Sequence, residues 1–325
     1  MTTKDGVRVR HAVGVDFGGT FIKMALVNER GEIKARAKIP TTDAATPDAW
    51  VEAVGQGIEQ LKAKKPAEAG DLSGLGVGVP GFVDFERGYI YDLANVPGWT
   101  NVHLAPRLEQ RFGLHVRIDN DVNAMALGEC TYGAGRAYQH AVFVTLGTGV
   151  GGGIVINNQL FRGANSLAGE MGHVSIQMDG IRSPQGRGGL EQYVGNRRIV
   201  ERTVKAIEGG RATIIKDLAQ GDLKAITPET IARAAAQGDA LALEIFDFVA
   251  ECLSTAFASV TYLIQPQAFI IGGGVAQSGA VLFDPLRRHL KERLSPFFAD
   301  RIEVKPAELG NDAGVIGAAT LVMMD

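Results

Sequence analysis

Several short segments carry residue types that could perform phosphoryl chemistry. The first is Asp16-Phe17-Gly18-Gly19-Thr20. Adjacent glycines let a backbone turn tightly and bring its N–H groups against a ligand. The Thr20 hydroxyl adds a donor, and Asp16 could hold a divalent cation through water, as phosphate sites require. Alone, the segment reads equally well as a plain hairpin turn, for which Gly-Gly is a common dipeptide. The second segment, LGTGVGGG at 146–153, is harder to explain as a turn. Each glycine raises the cost of ordering by roughly 0.5–1 kcal/mol relative to alanine, and a hairpin does not need so many. Gly147, Thr148 and Gly149 therefore join the first turn as candidates for gripping a nucleotide's phosphates. A third cluster, Gly272-Gly273-Gly274, follows an apolar run. A flat adenine or ribose could lie there against bare backbone. There is no GxxxxGK[ST] P-loop, and the GxGxxG match at 147–152 runs into a returning strand where a dinucleotide fingerprint would open a helix.

Two further clusters carry carboxylates. Asp119-Asn120-Asp121 and Asn123 sit just before a helical stretch. A helix N-cap accounts for one acidic or amide residue, not four in five positions. A carboxylate there is kept ionised by the helix N-terminus and could take a proton from a hydroxyl, as a general base does in phosphoryl transfer. Gly169-Glu170-Met171-Gly172-His173 and Gly188-Gly189-Leu190-Glu191 place glutamates and a histidine in glycine-rich loops, suited to vicinal hydroxyls. On residues alone, a surface loop with a satisfied histidine explains them as well.

These segments lie at the joints of an alternating α/β pattern. Apolar strands are expected at 11–16, 21–28 and 32–39, with a helix at 47–65 where Val51, Val54, Ile58 and Leu61 recur at helical spacing. A strand at 75–79, a helix at 104–112, a strand at 116–118 and a helix at 122–129 follow. Then the opening repeats as strand 141–146, glycine/threonine turn, strand 152–156. Such a duplication points to two related lobes. A long apolar helix at 241–264, a strand at 268–271, an amphipathic helix at 281–294, a strand at 301–305 and a small-residue helix at 313–324 complete the chain.

The composition of these 325 residues is that of an ordinary globular protein, 46% hydrophobic and 21% charged, with a net charge of −3 and no basic face, which argues against nucleic acid. Cys130 and Cys252 are too few and too distant for a disulfide framework or a CxxC metal site. No segment reads as a signal peptide or approaches the roughly 20 apolar residues of a membrane span. A cytoplasmic protein without membrane partners is expected.

DFGGT, NVPGW at 95–99, NDVNAMALGE at 120–129, LGTGVGGGI, GEMGH and GGLE, in this order, resemble the ROK (repressor, open reading frame, kinase) family from about residue 12 to the C-terminus. The resemblance implies an α/β, actin-like ATPase (ribonuclease H-like) fold. Two lobes would hold the active site in the cleft between them. The smaller lobe is expected at 1–122, completed by 310–325, and the larger at 123–309. It implies ATP and Mg2+ as cofactors, with ATP contacts at Asp16, Gly18, Gly19, Thr20, Lys23, Gly147, Thr148, Gly149, Gly273 and Gly274, and the metal near Asp16. The catalytic base corresponds to Asp121. The sugar contacts correspond to Asn95, Asn120, Asp121, Glu170, His173 and Glu191. The activity implied is phosphorylation of a hexose, with glucose at O6 ranked first and an N-acetylmannosamine, fructose or mannose kinase as alternatives. A homodimer is also implied. The family's CxCGxxGC zinc motif is replaced here, its cysteines falling on Arg182, Pro184 and Gly189, so no structural zinc is expected. A sugar-responsive repressor is the non-enzyme alternative. Only about eleven residues precede the first strand, too few for a helix-turn-helix domain. An actin- or Hsp70-like machine fits neither the length nor the sugar loops.

Overall fold

In the computed structural model, residues 9–65, 72–93, 96 and 98–324 are described. The chain divides into two compact units, one of residues 1–137, 153–168 and 308–325, the other of residues 138–152 and 169–307. Compared with the expected lobes, the helix after residue 120 and the excursion 153–168 both fall in the first unit. That helix is held there by the C-terminal helix Ala313–Met323, where Gly317 meets the backbone of Ala124 so closely that no Cβ fits between them.

The first unit is built on strands β1 (His11–Phe17), β2 (Phe21–Asn28), β3 (Ile33–Pro40), β4 (Leu72–Val79) and β7 (Val116–Asn120), in the sheet order β3-β2-β1-β4-β7. A small hairpin of β5 (Phe82–Asp84) and β6 (Tyr89–Asp92) lies between β4 and β7 in sequence. β1 and β2 are antiparallel, while β1, β4 and β7 are parallel. Parallel strands are buried on both faces, so they read as continuous apolar runs. β1 is buried from end to end. One face packs on α1 (Pro47–Lys64) and α2 (Leu104–Phe112), with Phe17, Trp50 and Trp99 in mutual ring contact. The other face carries α3 (Asp121–Tyr132) and the C-terminal helix. That helix lies against the sheet at glycines. A side chain at Gly14 would overlap Val315 O, and one at Gly76 would overlap Ala318 O. Glu129 of α3 is fully buried and accepts backbone N–H bonds from Ala134, Glu308 and Leu309, which fixes the chain's entry into its last helix.

The second sheet repeats the plan. β8 (Ala141–Leu146), β9 (Val150–Ile156), β10 (Gln159–Leu160), β13 (Ala268–Gly272) and β14 (Glu303–Pro306) run in the order β10-β9-β8-β13-β14. β8, β13 and β14 are parallel. In the second unit, residues 171–190 hold a hairpin of β11 (Arg182–Ser183) and β12 (Gly186–Arg187). There follow the helical turn α4 (Glu191–Val194), α5 (Asn196–Glu208), α6 (Pro228–Ala236), the long α7 (Ala240–Ile264) and α8 (Ala280–Arg293). Phe257 of α7 stacks on Phe269 of β13 at 4.2 Å. The expected strands and the long helices fall within a few residues of these elements. α5 and α6 were not expected.

Candidate functional site

The chemistry-bearing residues of the first unit collect at the carboxyl ends of its parallel strands, where open α/β sheets place their ligands. The register sets Asp16 of β1 opposite Gly78 of β4, and Gly78 opposite Asp119 of β7. The β1–β2 turn is shaped by its glycines. Gly18 N–H donates to Asp16 O and Phe21 O, each at 3.1 Å, and a Cβ on Gly18 would lie 2.8 Å from Phe21 O. Thr41 Oγ1 donates to Gly18 O at 2.7 Å and buttresses the turn from behind. Gly19 and Thr20 are exposed at its tip, with open space at the Gly19 Cα. Asp16 is buried, and Lys23, its cross-strand neighbour, sits 3.2 Å from its Oδ2.

At the end of β7 three adjacent residues have three different tasks. Asp119 is buried and fully engaged. Its Oδ2 takes the Arg162 Nε–H at 2.8 Å, and its Oδ1 takes Asn123 Nδ2–H at 2.9 Å and Asn120 N–H at 2.8 Å. Burial pushes the Asp119 carboxyl upward, while Arg162 and these hydrogen bonds pull against that. Arg162 itself lies 3.6 Å over the Phe85 ring. Asn120 is the N-cap of α3, accepting from Val122 N and Asn123 N at 2.9 and 3.2 Å and donating Nδ2–H to Gly81 O. Asp121 opens the helix, half-buried, with Oδ1 accepting Val122 N–H at 2.9 Å.

In the second unit the β8–β9 turn is again closed at a glycine. Gly147 N–H donates to Gly149 O at 3.0 Å. Glu191, at the start of α4, accepts Val150 N–H at 3.0 Å. Its carboxylate occupies the place that a Gly149 Cβ would take, so a side chain there would displace Glu191. Gly273, with φ +87°, lies against the Leu146 backbone at the ends of the parallel strands β13 and β8, and Gly274 faces open space. Glu170 and His173 are one turn apart, with Oε2 and Nε2 at 3.6 Å. Burial raises the Glu170 carboxyl, His173 opposes this and Glu191 adds to it. The expected residues of this unit thus lie on four segments, 147–149, 170–173, 191 and 273–274. Asn95 lies outside the described residues.

The loop without zinc cysteines is held mainly by backbone bonds. Ile176 N donates to Gly188 O and Gly188 N to Ile181 O, both at 2.9 Å, and Ile181 N donates to Tyr193 Oη at 2.9 Å. Arg187 reaches Asp179 only at 3.5 Å. Among the described residues no three or more His, Cys, Asp or Glu side chains gather to hold a metal ion.

Sequence reasoning missed Arg162 and Asn196. Arg162 is 43 residues from its partner Asp119, with no local signal. Asn196 donates its backbone N–H to Gly147 O at 2.9 Å, while its buried Oδ1 has no partner.

Paired sheets of this order, each opening on a glycine/threonine hairpin, define an actin-like ATPase fold. The chain belongs to the ROK family, whose model matches residues 12–324. It is 37% identical to a glucokinase of Halalkalibacterium halodurans over 96% of this chain and 95% of that one. It is 35% identical to a glucokinase of Thermotoga maritima over 95% and 96%. The structure of a ROK family glucokinase from Streptomyces griseus, in complex with glucose and AMPPNP, superposes with a TM-score of 0.81 at 33% identity, covering 97% of this chain and 100% of that one.

Proposed function

We propose that the protein transfers the γ-phosphoryl group of ATP to O6 of a hexose, with glucose preferred. The observation that carries this reading is the division of labour at the end of β7. Asp119 is consumed by structural bonds, whereas Asp121 stands on the half-buried first turn of α3. Asp121 accepts the O6 proton as O6 attacks phosphorus, and ADP leaves. The two glycine turns hold phosphates by backbone N–H groups, and Lys23 adds a positive charge beside Asp16. Magnesium carried by the nucleotide would neutralise charge that develops on the phosphates. A single carboxylate such as Asp16 suits that ion, which keeps most of its waters and binds protein through one or two carboxylates. Asn95, Asn120, Glu170, His173 and Glu191 are assigned to the sugar hydroxyls. The carboxylates among them suit several ring hydroxyls, and no evident feature serves an N-acetyl group. The relatives named glucokinase support the same substrate. No described helix is long and apolar enough to cross a membrane. A cytoplasmic homodimer belongs to the reading on the family resemblance.

The test is a coupled ATP-consumption assay across glucose, mannose, fructose, N-acetylglucosamine and N-acetylmannosamine. Glucose should give the highest kcat/KM. A higher value for N-acetylmannosamine would overturn the preference, and no turnover with any of the five would overturn the kinase reading.

A further inference from the structure

Behind the helical turn that carries Glu191, the second unit has a cavity of about 800 Å³ whose lining is rich in cations. Arg198, Arg202 and Lys205 enter it from α5, at spacings that put all three on one helix face, and Arg293 enters from the end of α8. Two carboxylates share the lining. Glu201 is held by Arg198 at 2.9 Å and Glu251 by Arg293 at 3.2 Å. Arg202 and Lys205 are different. The Arg202 guanidinium lies 3.5 Å over the Phe248 ring, and among the described residues neither cation has a carboxylate in ion-pair reach. Glu244, itself held by Arg211, acts on Arg202 electrostatically but does not pair with it. Two cations without an ion-pair partner on one wall raise the local positive potential and favour an anion. A guanidinium fork beside an ammonium matches phosphate oxygens in particular. The remaining walls supply what a hydroxylated body would need, with amide groups on Gln177 and Gln192 and the aromatic rings of Tyr193 and Phe248.

We propose that this cavity is a regulatory site for a small phosphate monoester with a hydroxylated body, a hexose phosphate being the fitting class. Its connection to the candidate catalytic residues is short. Arg198 donates to Gln192 Oε1 at 2.7 Å, and Tyr193 Oη accepts Ile181 N–H at 2.9 Å. Gln192 and Tyr193 directly follow Glu191, which holds the β8–β9 turn through Val150 N–H. A phosphate that recruits Arg198 therefore pulls on the turn carrying Glu191, and alters hexose or ATP affinity. The binding claim is independent of the hexose kinase reading, whereas the kinetic consequence rests on it.

The experiment is calorimetry on the full chain with glucose 6-phosphate and, separately, inorganic phosphate. Saturating glucose and AMPPNP are present to occupy the catalytic residues. Glucose 6-phosphate should bind, and more tightly than inorganic phosphate, because only the ester uses the amide and aromatic walls. The R202E/K205E double variant should lose about tenfold or more in affinity for each charge-assisted contact removed. Its circular dichroism and its kcat/KM without effector should match the parent, since neither residue is assigned to catalysis. Equal affinity in parent and variant, or no binding to the parent, overturns the proposal whatever the sugar assay shows. So does a variant whose only change is its oligomeric state in sedimentation, which would make the groove a subunit contact.

Discussion

Asp119 and Asp121 are two residues apart and chemically unlike. Asp119 accepts three hydrogen bonds, one of them from a guanidinium, in a buried setting. Taking a proton there would sacrifice the bonds that hold the end of β7. Asp121 lies on the half-exposed first turn of α3. The Asp121→Asn variant keeps shape and removes the proton acceptor. General base catalysis contributes roughly 10²–10⁴-fold. Its kcat should fall by about that factor while hexose binding, read by calorimetry, changes little; near-normal turnover would release Asp121 from the role. Glu170 gives a second prediction at this scale. Its carboxyl is raised above the ordinary glutamate range, first by burial and then by Glu191, against the pull of His173. It is therefore protonated at a higher pH than a solvated glutamate. The pair Glu170 carboxylate and sugar hydroxyl should weaken as pH falls through that raised value. KM for hexose should rise on the acid side earlier than an exposed carboxylate would allow, and Glu170→Gln should flatten this limb of the profile. An unchanged limb in the variant assigns the titration to another group.

Among the elements, the C-terminal helix shows how far small residues set geometry. All of its residues are buried, and its two glycines sit at close approaches, Gly317 to backbone and Gly314 to the Asp16 side chain. Gly317 meets Ala124 O of α3, and a Cβ on Gly314 would lie 3.0 Å from the Asp16 carboxyl carbon. Gly317→Ala forces α3 and this helix apart. Overpacking of a tight core costs about 1–3 kcal/mol and occasionally more. A lower thermal midpoint is expected, together with reduced kcat, because α3 carries Asp121. A variant as stable as the parent would mean that the helices separate at no cost. The sequence announced this helix by its unbroken run of small apolar residues. It did not announce which glycines were contacts, since a close approach depends on a partner far away in the chain. α5 was silent for the opposite reason. Only Ile199 and Thr203 are buried among its 13 residues, too sparse an apolar stripe to register as a helical period.

Over the whole molecule, the legible parts were those whose chemistry is local: glycine/threonine hairpins, a run of Asp and Asn before a helix, apolar strands. The strand-end register that sets Asp16, Gly78 and Asp119 in one row is a long-range property and appears only with the sheet. The metal requirement follows from the whole inventory in the same way. Tetrahedral zinc needs four ligands, mostly cysteine thiolates and histidine. The loop from His173 to Glu191 offers no cysteine and no second histidine. Cys252 is buried, and burial pushes both its thiol and that of Cys130 up to about 12, so neither is a ready thiolate at neutral pH. The loop has its own support in the β11–β12 pairing, the bonds through Gly188 and the Tyr193 hydroxyl. Gly188 is bound to this arrangement, since its φ is +72° and a Cβ would overlap Gln177 O. The purified protein should then contain no stoichiometric zinc by elemental analysis. A strong zinc chelator in excess magnesium should leave hexose phosphorylation intact, whereas EDTA without added magnesium should abolish it through the nucleotide. One tightly bound zinc per chain, with activity lost on its removal, would show that ligands from elsewhere in the chain complete a site here.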